Sequence, residues 1–188
     1  DGVNPFDRSF REALEAGVTA AAVSPGSANP IGGQIALLKM AGRRVDDMIL
    51  KAPLAIKFAL GENPKSVYHD KDETPVTRMA TAGIIREELY KAKEYFSRKA
   101  RAENDPDQDE PDFDIKMEAL QPLLWGKAEA HFHAHRADDI FTALRIAKEF
   151  GLRAVIIHGT EAHLVADLLA EEHVPVVCGP YMTDRSKP

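Results

Sequence analysis

Residues 128–136 read Ala128-Glu129-Ala130-His131-Phe132-His133-Ala134-His135-Arg136. Strict alternation makes this a strand, because successive side chains of an extended chain point to opposite faces. Glu129, His131 and His133 then share one face, while Ala128, Ala130 and Phe132 share the other. An open sheet covered by helices on both sides would bury that polar stripe at a cost. The interior of a (β/α)8 barrel near its catalytic mouth tolerates it.

Working outward, apolar runs rich in Val and Ile recur at 152–158 and 174–178, and amphipathic stretches lie between them. Residues 138–150 place Ile140, Phe141, Leu144, Ala147 and Phe150 near a 3.6-residue period, and 161–171 do the same with Ala162, Val165, Ala166 and Leu169. Asp138 with Asp139, and Thr160 with Glu161, mark helix starts, and Gly151 marks a stop. Strand and helix alternate through short connections, which predicts a parallel sheet.

The first third repeats the pattern with a helix over 5–15, strands over 19–24 and 54–60, and a turn-rich loop at 25–33. Residues 78–101 read as a long exposed helix dense in Lys, Arg and Glu, followed by an acidic loop at 104–111. We read 67–125 as a helical insertion over one end of the sheet, at the barrel mouth. Five strands in βα order fit either an open doubly wound sheet or an arc of a barrel, and the polar stripe favours the barrel. A complete barrel takes about 250 residues, so the 188 residues are expected to form an incomplete one. The chain opens on Asp1 and closes on Pro188 just after an apparent strand, as expected of the central part of one larger domain, residues 1–188.

Composition narrows the function. With 44% hydrophobic and 29% charged residues, the chain is globular. No apolar run approaches the roughly 18 residues of a membrane span, so no membrane role is expected. A net charge of −6, from 24 Lys and Arg against 30 Asp and Glu, gives no attraction to phosphate backbones, and no nucleic-acid partner is expected. The single Cys178 forms no internal disulfide, and no signal core opens the chain, which suggests a reducing, cytoplasmic setting. An open barrel arc exposes strand edges, so a homo-oligomer is one expected outcome.

The chemistry-bearing residues gather at strand ends. His133 closes one strand and His158 the next, and neighbouring strands lie about 4.8 Å apart, close enough for two imidazoles to share one divalent ion. Glu62, after the strand at 54–60, puts a carboxylate at the same end. Lys57, inside that strand, must be paired, neutral, modified or snorkelling. His163 and His173 read as ordinary histidines of a helix and a strand start. The glycines of 26–33 lack the spacing of a nucleotide loop.

These residues also carry a resemblance. Gly17-Val18-Thr19, Pro25-Gly26-Ser27-Ala28-Asn29-Pro30-Ile31-Gly32-Gly33-Gln34, Ala59-Leu60-Gly61-Glu62-Asn63-Pro64, Pro75-Val76-Thr77-Arg78-Met79, His133-Ala134-His135-Arg136-Ala137-Asp138-Asp139 and Ile157-His158-Gly159-Thr160-Glu161 resemble, in that order, the imidazolonepropionase-like branch of the amidohydrolase superfamily. The resemblance implies a (β/α)8 barrel with one or two divalent metal ions, Zn as a rule, that activate water to hydrolyse an amide, peptide or cyclic C–N bond in a small-molecule or peptide substrate. It places metal histidines at His133 and His158, an acid ligand at Glu62 with a carboxylated Lys57 as reserve, and substrate contacts at His135 and Arg136. The family's first-strand His-x-His pair and last-strand aspartate, the general base, are expected outside residues 1–188. A non-catalytic amidohydrolase-like scaffold is the competing reading, because a fold alone carries no chemistry.

Overall fold

Glu129–Ala134 forms the strand that organises the sheet, with Ala130, Phe132 and Ala134 wholly buried on one side and His131 and His133 on the other. The structure is a computed structural model and describes residues 2–179. In chain order the elements are α1 (Arg8–Glu15), β1 (Ala20–Val23), β2 (Ile31–Lys39), α2 (Val45–Met48), β3 (Ile49–Ala59), α3 (Glu62–His69), α4 (Arg78–Asn104), α5 (Ile115–Leu124), β4 (Glu129–Ala134), α6 (Ala137–Phe150), β5 (Ala154–His158), a 3-10 turn (Ala162–Val165), α7 (Ala166–Glu171) and β6 (Val176–Cys178). The strands lie side by side in chain order as one curled, six-stranded sheet, an incomplete α/β barrel.

The sheet is mixed, which corrects the expectation of a purely parallel one. From β3 to β6 every neighbouring pair is parallel, whereas β1, β2 and β3 pair antiparallel. Strand β2 had no place in the sequence reading, because its Gly32 and Gly33 resemble turn residues. Gly33 lies at φ 120°, and register shifts mark bulges along the β2–β3 ladder. Glycine in a strand is a common sign of such a bulge.

The long helix α4 also differs from its sequence reading. It is not exposed all round: Thr81, Ala82, Ile85, Leu89, Ala92 and Tyr95 form a buried stripe. Together with Met117, Leu120 and Leu123 of α5, that stripe joins Phe58, Phe132, Ile140 and Ile146 in one core on the outer face of the sheet. Phe58 and Phe132 stack with ring centroids 4.9 Å apart. Residues 78–124 thus form the crossover from β3 to β4 and cover the sheet as they pass. An ion pair and a hydrogen bond tie the layers together: Arg86 and the Tyr90 hydroxyl of α4 both donate to Glu149 of α6, at 2.6 and 2.8 Å.

Helix α6 ends as its sequence suggests, on Gly151 in the left-handed region at φ 68°. Its start differs: the capping position falls on Arg136, and Asp138 and Asp139 sit in the first turn. There their charge still suits the helix dipole. A smaller cluster of Leu38, Met40 and Met48 lies towards β1 and α1.

Candidate metal centre

The parallel register brings the histidines together. His133 is the pairing partner of Ile157, and Ala134 that of His158, so both histidines leave the C-terminal ends of adjacent strands. His135 follows directly after β4, and its carbonyl accepts from the Glu161 N–H at 2.8 Å, which fastens it to the turn after β5. His158 itself sits at φ 77°, a left-handed conformation uncommon for residues other than glycine and of the kind that clusters at functional sites. Gly159 follows at φ 53°, where a methyl group would meet Val176 at 2.7 Å, so only glycine fits.

The three rings pack edge to face and face to face. Centroids lie 4.7 Å apart for His133 and His135, 4.6 Å for His133 and His158, and 4.9 Å for His135 and His158. One donor nitrogen from each ring lies within 4.8 Å of the others, so the triad can hold a metal ion. Imidazole nitrogens suit Zn and its first-row neighbours, and three protein ligands with an open position are the pattern of catalytic zinc sites.

The surroundings orient the rings. His158 Nδ1 lies 2.8 Å from the Gly179 carbonyl. A carbonyl only accepts, so Nδ1 carries a proton, and in the neutral ring Nε2 is the atom left to ligate. His135 Nδ1 lies 2.8 Å from Thr160 Oγ1. His133, 4% exposed, is held at both nitrogens, by Ser27 Oγ at 2.9 Å on Nδ1 and Asn63 Nδ2 at 3.1 Å on Nε2. A metal ion therefore takes a nitrogen that one of these two partners gives up.

The residues singled out in the sequence fall into three groups. His133 and His158 meet as expected, and His135, read as a substrate contact, joins them as a potential ligand. Glu62 opens α3 beside Asn63 and is not one of the three convergent donors. Arg136 turns back along its own helix, its Nε and Nη2 on the Asp138 carboxylate at 3.1 and 3.3 Å. Burial pushes Asp138 up, but the guanidiniums of Arg136 and Arg78 outweigh it and hold its carboxyl below the usual range.

Lys57 lies on the interior face one alternation below His133, at the level of His131. It is 5% exposed, and burial holds its amine below the ordinary lysine value. His131 turns to Glu129, Nε2 to Oε2 3.2 Å. Ser27 and Asn63 had no role in the sequence reading, although both stand inside the quoted motifs. A neutral side chain in a turn gives no signal of the histidine it touches 70 or 106 residues away.

No family model matches the sequence. A crystal structure of an amidohydrolase from Thermotoga maritima superposes on the whole of this chain with a TM-score of 0.96 and 48% sequence identity. The chain belongs to the amidohydrolase family. Amidohydrolase tasK of Hapsidospora irregularis is 31% identical over 190 residues, which cover 90% of this chain. The chain spans 49% of the Thermotoga protein and 19% of tasK, so it corresponds to part of each relative. In this amidohydrolase chain, no helix among the described residues is long and apolar enough to cross a membrane.

Proposed function

We propose that these residues are the metal-holding part of a metal-dependent hydrolase of C–N bonds. The observation that carries this reading is the convergence of His133, His135 and His158 at the C-terminal ends of strands in an amidohydrolase half-barrel. That end of a parallel barrel is where active sites are built. A divalent ion there, Zn in our reading, would supply Lewis acidity towards a carbonyl oxygen and lower the pKa of water. The chain's own residues do the rest: Gly179 and Thr160 orient the His158 and His135 rings, and Ser27 and Asn63 hold His133 until it ligates.

In this reading Glu62, the first residue of α3, serves a second ion, with a carboxylated Lys57 as reserve. Arg136 meets substrate only when it leaves Asp138. The general base lies outside residues 1–188. The motif order of the imidazolonepropionase-like branch puts cyclic amides beside N-acyl amino acids and dipeptides as substrate classes.

The test is a hydrolysis assay on those three classes, using a longer polypeptide that carries these residues, stripped of metal and reloaded with Zn. Activity that depends on Zn and disappears in His133→Ala supports the reading. Hydrolysis that survives removal of metal overturns it.

A further inference from the structure

Asp139 is an acid that the centre does not use directly, yet it is 4% exposed. Three elements meet on its carboxylate. It stands in the first turn of α6, and Arg78, the first residue of α4, brings Nη1 to 3.4 Å from its Oδ2 while holding Asp138 at 2.6 Å. The third element is the turn from β3 into α3. A methyl group on Gly61 would meet Asp139 Oδ2 at 2.9 Å, and Gly61 adopts φ 78° and ψ −139°. Backbone and carboxylate therefore touch with no room for a side chain between them.

That turn leads straight to the metal centre. Two residues past Gly61, Asn63 places its amide 3.1 Å from His133 Nε2, and one residue before it the Leu60 N–H donates to the His133 carbonyl at 3.0 Å. Residues 60–63 thus grip His133 at backbone and ring, and Asp139 is the surface on which they rest. An apolar side chain would fill the same space without the desolvation cost of a buried carboxylate. The charge brings something an alkyl group lacks: a fixed attachment to Arg78 and to the N-terminal turn of α6, the helix that begins two residues after His135.

We propose that Asp139, in contact with Arg78, is a positioning residue for the three-histidine centre, fixing the 60–63 turn and through Asn63 the ring of His133. The metal arm of its test rests on the hydrolase reading, whereas the ring arm does not. A residue that only capped α6 would change stability and leave the His133 ring where it is.

The experiment compares wild type with Asp139→Ala, Asp139→Asn and Arg78→Met in the 188-residue chain. Each is followed by thermal unfolding, by nitrogen NMR of the histidine rings without metal, and by titration with Co(II) read from its visible spectrum. Asp139→Ala should shift the His133 ring resonances and, with the ion taking Nδ1 from Ser27 while Asn63 stays on Nε2, weaken Co(II) binding by about tenfold, the lower end of the loss seen when a supporting partner of a ligand is removed. Arg78→Met should act in the same direction, and combining it with Asp139→Ala should add little further, as for two members of one network. Unchanged His133 resonances in folded Asp139→Ala, with only a lower melting temperature, would overturn the proposal. Should Asp139→Ala fail to fold, Asp139→Asn and Arg78→Met carry the same readouts. Absence of Co(II) binding by wild type would count against the hydrolase reading, and the ring resonances would still decide the role of Asp139.

Discussion

The ring of His133 meets that of His158 with centroids 4.6 Å apart and planes at 77°, although the two stand 25 positions apart in sequence. The contact follows from parallel pairing in a fixed register. Because Ala134 faces His158 across the ladder, His133 and His158 are one step out of line along the strands. At φ 77° the backbone of His158 departs from the extended geometry of its strand, so its side chain is not bound to the strand's alternation.

The first prediction concerns that triad. His133→Ala, His135→Ala and His158→Ala should each retain far less Zn after dialysis than wild type, as measured by elemental analysis, because two imidazoles hold a divalent ion poorly. His163→Ala and His173→Ala should retain as much as wild type. His163 is exposed and bonds through Nδ1 to the Thr160 carbonyl of its own turn. Equal Zn in all five variants would remove the triad as the binding site.

A second prediction tests the core that holds the strands in register. Phe132 and Phe58 are wholly buried and stacked. Phe132→Ala should cost about 3–5 kcal/mol in urea unfolding, the usual range for emptying a buried phenylalanine site. Phe113→Ala, at a 76% exposed position, should change stability little. Similar small losses at both positions would mean that the outer-face core is not what holds the sheet.

Where a sequence signal was local, the sequence revealed the structure. The alternation of 128–134 fixed which side of β4 is apolar, and Ala130, Phe132 and Ala134 do enter the core. The βα rhythm of the last third gave β4, α6, β5 and β6 and the approach of His133 to His158. The antiparallel β2 was hidden because Gly32 and Gly33 mimic a turn and the bulge they create breaks the alternation. The buried stripe of α4 was hidden by the Lys, Arg and Glu residues that cover its other faces. Asn63, Ser27 and Thr160 escaped for another reason: their importance comes from what lies across the fold, and nothing in their own neighbourhood encodes it.

A third prediction follows from the contact between Gly61 and Asp139. Gly61→Ala must place a methyl group 2.9 Å from Oδ2 and hold a side chain at φ 78°. It should destabilise the fold by on the order of 1–3 kcal/mol, the cost of such a backbone position. Gly126 also lies at positive φ, 68°, but has nothing within 4 Å of its missing side chain. Gly126→Ala should therefore carry the backbone strain without the collision and lose less, as chemical denaturation of the two variants would show.

The last prediction concerns Lys57 and pH. Its side chain is 5% exposed, and burial alone is what lowers its pKa from the ordinary 10.5. When the folded pKa of a lysine lies below the unfolded one, the unfolded chain binds more protons between the two values, and stability rises with pH across that window. Below the lowered pKa the full penalty of the buried ammonium applies. Well above 10.5 both states are neutral and the penalty has disappeared. Lys57→Met keeps the stem that packs against Gly32 and removes the ammonium, so the variant should be more stable than wild type at neutral pH. The gap should narrow as pH rises towards 10.5. Guanidinium unfolding of both proteins across that range measures it, and the difference between them cancels every other titrating group. A wild type more stable than Lys57→Met at neutral pH would show instead that the ammonium has an anionic partner in the folded protein. A carbamate is a separate outcome, since CO2 adds to the neutral amine with loss of a proton and leaves a carboxylate on Lys57. Carbon NMR with labelled bicarbonate would reveal it, and the lysine would then enter the metal centre as a ligand.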